Sequence, residues 1–396
     1  MSDDQQPSTE KLYELLDEAY FLDPSPQKVA LLEQAVRLAD TLQNEAQSYD
    51  IRMDLIQAAT FGGQPDRAIV AFSWCLAAYD RNPENYDWFD LYWKYKWIVG
   101  NGINYPSLSR SKLEALLDDQ AKRYRSMGRG KQASLKSRMC FYQGIGEIKK
   151  ARKMLDNVDR TRTDELSDCP ACTLNNKVLL LIDTGEYDAA LQTAEPILLG
   201  RKKCAEVPHC TIPTLLLPLL FTGKHEQAAD LHERNLRRIR RKSQFLKELG
   251  EHAFYLAFRG QPQEALQIIE REFAFSLGVT HPRANFFFYL AALFVLQRLQ
   301  RSGVNSVSLR LPKDFPLRRD DHTYEVETLI QWLKNACTTI ANDFDQRNDN
   351  RYHQRLLKGL TRWHRQADAF QQTIDTQKAK PKAKEASVKR SRKPRK

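Results

Sequence analysis

Apolar positions along this chain recur at helical spacing, in paired runs separated by a short polar break. Val178-Leu-Leu-Leu-Ile182 is followed, after such a break, by apolar residues at 190, 191, 194, 197 and 198. The pattern predicts one helix over 171–183 and a second over 187–199. The same reading pairs 212–221 with 225–240 and 244–259 with 262–275, and it starts a further hairpin at 283–300. Upstream, Leu32–Phe61 pairs with Pro65–Tyr79, and Trp88–Val99 begins another hairpin.

Each break carries the same phrase, a glycine followed five positions later by an alanine. It reads Gly146-Glu-Ile-Lys-Lys-Ala151, Gly185-Glu-Tyr-Asp-Ala-Ala190, Gly223-Lys-His-Glu-Gln-Ala228 and Gly260-Gln-Pro-Gln-Glu-Ala265, with glycines 39, 38 and 37 residues apart. An earlier copy, Gly63-Gln-Pro-Asp-Arg-Ala68, lies 83 residues before Gly146, room for one unmarked repeat. Self-similarity at this period predicts stacked helical hairpins, an all-α solenoid. The glycine suits the position just past a helix end, where a left-handed backbone costs other residues about 1 kcal/mol. The alanine suits the close crossing of the second helix over the first. The phrase resembles the helix–turn–helix junction of tetratricopeptide repeats, with Gly185-Glu-Tyr187-Asp-Ala-Ala190 the best match. The period is longer than the usual 34 of that family, which makes these repeats tetratricopeptide-like.

After Gly303 the pattern breaks. Ser308–Pro316 carries two prolines and reads as a connection. Tyr324–Phe344 then places apolar residues at 326, 329, 330, 333, 336, 340 and 344, one long amphipathic helix, with a second helix over 352–370. The expected organisation is an N-terminal segment 1–25, helical repeats 26–303, a connecting loop 304–323, a C-terminal helical cap 324–375 and a basic tail 376–396. The tail's composition predicts disorder.

Charge sharpens that division. The formal net charge is +11, yet residues 376–396 hold ten Lys/Arg and one Glu, leaving 51 basic and 49 acidic side chains in the rest. The body is near neutral and the basicity is a tail. The longest apolar run, Phe286 to Leu296, is 11 residues, short of the roughly 18 that a membrane span needs. The N-terminus is polar and acidic, unlike a signal peptide. These features predict a cytoplasmic protein.

Four of the seven cysteines fall in one window, as Cys169-Pro-Ala-Cys172 and Cys204-Ala-Glu-Val-Pro-His209-Cys210. The first pair begins one helix of a hairpin and the second group follows its partner, so both lie at the same foot. Three thiolates with His209, or four with Cys210 instead, suit a tetrahedral structural zinc. Two plainer readings stay open: buried free thiols, and a redox pair whose first thiol is activated at the helix start.

Cys169-Pro-x-Cys172, then Cys204-x-Glu206-x-Pro208-His209, Leu215-Leu-Leu-Pro218 and Gly223, together resemble an uncharacterised group of bacterial tetratricopeptide-like proteins. Arg52-Met-Asp-Leu, Ala58-Ala-Thr-Phe-Gly-Gly63, Ala71-Phe-Ser-Trp-Cys-Leu76, Tyr95-Lys-Trp97 and Phe344-Asp-x-Arg347-Asn348 extend the similarity over most of 30–350. The resemblance implies Cys169, Cys172, Cys204 and His209 as the ligand set, with Cys210 extra. It implies no activity.

Trp88, Tyr92 and Tyr95 belong to the densest aromatic cluster, read either as hairpin packing or as partner anchors. Arg234, Arg237 and Arg241 fall on one helical face beside Arg238 and Lys242, a solvated face or a partner-binding face that meets phosphates. No phosphate-binding glycine loop, His-Glu-x-x-His or Gly-x-Ser-x-Gly elbow occurs, so catalysis is not expected. The expected role is a scaffold holding a protein or peptide. The alternative is a nucleic-acid-associated protein attached non-specifically through its basic tail.

Overall fold

A computed structural model describes residues 9–278 and 281–390, with the side chains of 278, 375 and 377–390 outside that description. The glycine turns build the architecture. In every copy of the phrase the glycine takes a left-handed backbone, with φ of 79°, 80°, 78°, 76° and 83° at Gly63, Gly146, Gly185, Gly223 and Gly260. Around Gly185 the amide of Glu186 donates to Leu181 O (2.8 Å) and that of Gly185 to Ile182 O (3.0 Å). These two bonds satisfy carbonyls that a helix end leaves orphaned. The six-to-one bond recurs as Gln64 to Ala59, Glu147 to Tyr142, Lys224 to Leu219 and Gln261 to Leu256. The alanine that completes each phrase, from Ala68 to Ala265, is at most 1 % exposed. A leucine there would overpack the crossing.

Contacts divide the chain into two compact units. The first runs to Val207 and includes 281–283 and 346–349. It holds α1 (Thr9–Tyr20), α2 (Pro26–Thr41), α3 (Glu45–Phe61), α4 (Pro65–Arg81), α5 (Trp88–Gly102), α6 (Arg110–Ser126), α7 (Lys131–Gly144), α8 (Ile148–Arg160), α9 (Pro170–Asp183) and α10 (Tyr187–Leu198). The marked turns fold α4 back on α3, α8 on α7 and α10 on α9, and α5 packs on α3 and α7. Helices α5 and α6 fill the unmarked repeat. The expected helix over Leu32–Phe61 is two helices instead. Gln43 adopts φ 55° between α2 and α3, and the Asn44 amide closes the same six-to-one turn onto Ala39 O. A polar residue thus does the glycine's work, and Asn44 caps the next helix by accepting from the Gln47 amide.

The second unit holds α11 (Thr211–Phe221), α12 (His225–Ile239), α13 (Leu246–Phe258), α14 (Pro262–Gly278), most of α15 (Pro282–Arg301), a two-stranded ribbon, most of α16 (Val326–Asn348), then α17 (Tyr352–Lys358) and α18 (Leu360–Arg390). Helix α11 pairs with α12 and α13 with α14. The connection after Gly303 is not wholly irregular: β1 (Ser306–Ser308) pairs antiparallel with β2 (Thr323–Glu325), Val307 opposite Tyr324. Phe254 stacks on the buried Phe294 and meets Trp363 edge-on within this unit. The helix expected over 352–370 is broken at Gly359, and α18 continues to Arg390, where the composition predicts disorder from 376. Its alanines and lysines are strong helix formers. Residues 391–396 lie outside the described residues.

Candidate metal centre

Pro170 at the first helical position of α9 fixes the chain so that Cys169 is the helix cap. The Cys169 Sγ accepts from the Cys172 amide at 3.4 Å. Cys172 lies in the first turn of the same helix. The chain leaves α10 through Gly200, in a left-handed conformation (φ 70°). It then enters a tight turn in which the Cys204 amide donates to Val207 O (3.0 Å) and the Val207 amide donates to Cys204 Sγ (3.4 Å). Two caps of the same kind therefore present two sulfurs, each already holding a backbone N–H.

The result is a cluster of Cys169, Cys172 and Cys204 whose sulfurs all lie within 4.8 Å of one another. Cys172 and Cys204 are 3.6 Å apart, and all seven cysteines are free of disulfides. Two thiolates at 2.3 Å from one tetrahedral zinc would stand about 3.8 Å apart, so the three fit such an ion. Burial alone would push the Cys204 thiol up, but the Val207 and Glu206 amides and the neighbouring thiols outweigh it and hold it below its ordinary value. The Cys172 thiol is pushed up by burial and by its hydrogen bonds to Cys169 and Cys204. A cation shared by the cluster would favour the thiolate form of all three sulfurs.

Buried charge lies next to this cluster. Asp168, immediately before Cys169, receives Lys96 Nζ at 3.2 Å and Lys136 Nζ at 2.6 Å. Lys96 also donates to Leu166 O (2.7 Å) and sits 3.3 Å over the Trp93 ring. Burial would lower the Lys136 ammonium, but its pairing with Asp168 outweighs that and raises it. These cations suit a site whose thiolates carry net negative charge. Sequence reasoning missed them. Their signal was a lysine inside the apolar Trp88–Trp97 run and an aspartate directly before a Cys-x-x-Cys pair.

His209 and Cys210 belong to the second unit. The His209 ring meets Phe245 edge-on with centroids 5.9 Å apart, and its buried Nδ1 has no partner among the described residues. Burial, with Arg238 and Lys242 nearby, lowers its pKa and keeps the imidazole neutral, the form that ligates metals. Cys210 precedes α11 as its cap residue.

The other expected sites fare differently. Tyr92 and Tyr95 are 4 % and 1 % exposed, so both are core residues and present no face to a partner. Tyr95 donates to Asp119 Oδ2 at 2.7 Å, and Tyr92 packs between Tyr79 and Tyr124. Trp88 is half-buried, with Arg129 5.4 Å over its ring. Arg237 and Arg241 are exposed but do not share a helical face. Helix α12 stops at Ile239 and Arg241 turns left-handed (φ 62°), its amide held by Glu272 Oε2 at 3.0 Å. No helix among the described residues is long and apolar enough to cross a membrane. No protein-family model matches the chain and no curated protein is significantly similar to it, so the resemblance read from its motifs stands on those motifs alone.

Proposed function

We propose that the chain is a non-catalytic scaffold, a superhelix of tetratricopeptide-like hairpins whose concave face holds a peptide or protein segment. The observation that carries this reading is the shared turn: five glycines with φ between 76° and 83°, each closed by the same six-to-one hydrogen bond. Repeated junctions of one geometry make repeated hairpins of one geometry, and such arrays offer extended recognition surfaces. A structural zinc on Cys169, Cys172 and Cys204 staples one hairpin foot to the loop that follows. The sequence offers His209, or Cys210 in its place, as the fourth ligand. A closed four-ligand site leaves no position for substrate, in keeping with a non-catalytic role.

Two measurements test this reading. Metal analysis of the purified chain should give one zinc per molecule, lost in Cys172→Ser; no metal and an unchanged melting temperature would remove the staple. For the scaffold, peptides selected on the immobilised chain should bind residues 1–375 as tightly as the full chain. Retention that vanishes without 376–396 and elutes at moderate salt would instead mean attachment of a polyanion such as nucleic acid to the basic tail.

A further inference from the structure

A cleft of about 470 Å³ opens in the second unit, bordered by α15, α16, α17 and α18. Three cations line it, one from each of three helices: Arg301 on α15, Lys334 on α16 and Lys358 on α17. Thr338 and Thr361 add hydroxyls, and no carboxylate lines it among the described residues. Asp368 on α18 is engaged by Arg298 and stands 3.6 Å from Arg301. Neither Lys334 nor Lys358 has an ion-pair partner among the described residues. Positive charge converging from separate elements, offset only by Asp368 beside Arg301, is the signature of an anion site.

The wall of the cleft also holds a group of opposite character. His364 is 3 % exposed and stacks on Phe294, with ring centroids 4.6 Å apart. Its Nε2 lies 2.8 Å from Gln297 Oε1. An amide oxygen can only accept, so Nε2 carries the proton and Nδ1 of the neutral ring is a bare acceptor. Burial and the charges of Arg301 and Arg298 keep this imidazole neutral. Nδ1 has no partner among the described residues, and a buried acceptor left unmet is unfavourable. The cleft therefore offers an anion site and, in the same wall, an acceptor that needs a donor.

We propose that this cleft binds a phosphorylated, hydroxylated small molecule, its phosphate on Arg301, Lys334 and Lys358 and one hydroxyl donating to His364 Nδ1. Three cations suit a dianion better than a carboxylate, and the volume falls in the range of small-molecule sites, larger than bare phosphate requires. A ligand presenting only lone pairs would leave Nδ1 unmet, which is why a hydroxyl donor is part of the assignment. The inference is independent of the scaffold and of the zinc.

The test is calorimetric titration of the full chain, at constant ionic strength, with inorganic phosphate, ribose and ribose 5-phosphate. Ribose 5-phosphate is expected to bind saturably at one site and at least about tenfold tighter than phosphate, with ribose alone giving no signal. Lys334→Ala and Lys358→Ala should each weaken both anions by about tenfold or more. His364→Phe, or His364→Leu should the first fail to fold, should bring ribose 5-phosphate down to the level of phosphate. The tail is the same in every variant, so binding to it would survive all of these substitutions. Anion affinity unchanged in both lysine variants, or no saturable binding of ribose 5-phosphate, would overturn the site. Equal wild-type affinity for phosphate and ribose 5-phosphate would overturn the hydroxylated ligand.

Discussion

The sulfurs of Cys172 and Cys204 stand 3.6 Å apart although 32 residues separate them in the chain. That separation is too long for a disulfide, near 2.05 Å, and close to what two thiolates on one zinc require. The hairpin of α9 and α10 and the turn at Gly200 account for it without any bond between the sulfurs. Stripping metal with a chelator should therefore lower the melting temperature, and added zinc should restore it. Hydrogen peroxide applied to the metal-free chain should then link Cys172 to Cys204, two thiols becoming one disulfide as peroxide is reduced to water. The metal-loaded chain should resist. Mass mapping that found another pair linked first, or equal oxidation in both forms, would argue against metal at this position.

Gly185 offers a cleaner test of the turns. Among the described residues nothing lies within 4 Å of where its Cβ would be, so the cost of a side chain there is that of φ 78°. Gly185→Ala should lose about 1 kcal/mol in urea unfolding, and Gly185→Asn less, since asparagine tolerates this region. Gly144 behaves oppositely. Its helical backbone would accept alanine, but the Cβ would fall 1.9 Å from Ile103 Cδ1, so Gly144→Ala should cost more than Gly185→Ala through overpacking of about 1–3 kcal/mol. Equal losses at the two positions would mean that sterics, not backbone strain, govern both.

The repeats were legible because a helix that must end and reverse within a few residues has few solutions, and glycine followed by a small buried residue is the commonest. The cysteine cluster was legible for the same reason, since the hairpin converts a sequence gap into proximity. Where the same geometry used other residues, the pattern was silent: Gln43 breaks Leu32–Phe61 without a glycine, and Gly359 breaks the last helices at ordinary helical angles. The Lys96–Asp168–Lys136 group was illegible because its members lie far apart in sequence and meet only through packing. Tyr92 and Tyr95 read in sequence either as hairpin packing or as partner anchors, and their burial decides for packing.

Asp168 joins two lysines where neither can be rehydrated cheaply, since the side chain of Lys96 is 4 % exposed and that of Asp168 18 %. Burial would raise the Asp168 carboxyl, yet Lys136 and Lys96 outweigh it and hold it below the usual range. A depressed carboxylate adds stability above its unfolded pKa of about 3.9, lost as pH falls through the folded value. Asp168→Asn should therefore cost about 3–5 kcal/mol at neutral pH, because it leaves two buried ammonium groups unpaired. It should also flatten the acid limb of the stability curve. A loss under about 1 kcal/mol would show that the lysines find other partners.

A second pH dependence resides in the second unit. His252 Nε2 lies 2.8 Å from Asn235 Oδ1, and its Nδ1 lies 2.9 Å from His232 Nδ1. The amide oxygen assigns the His252 proton to Nε2, so His232 must donate between the rings, and both are neutral. Burial pushes His232 down to about 4, and burial together with His232 pushes His252 well below its ordinary value. The unfolded chain then binds more protons than the native one from about pH 6.5 downward. Stability should fall with pH across the window from about 6.5 to 4, by as much as about 1.4 kcal/mol per pH unit for each ring. Replacing the pair, as His232→Phe with His252→Leu, should remove up to about two protons from that slope, while His281 and His364, also held low, keep theirs. Urea titrations at several pH values would read the slope directly. Identical slopes in the wild type and the double variant would mean that the two rings are already charged in the folded chain.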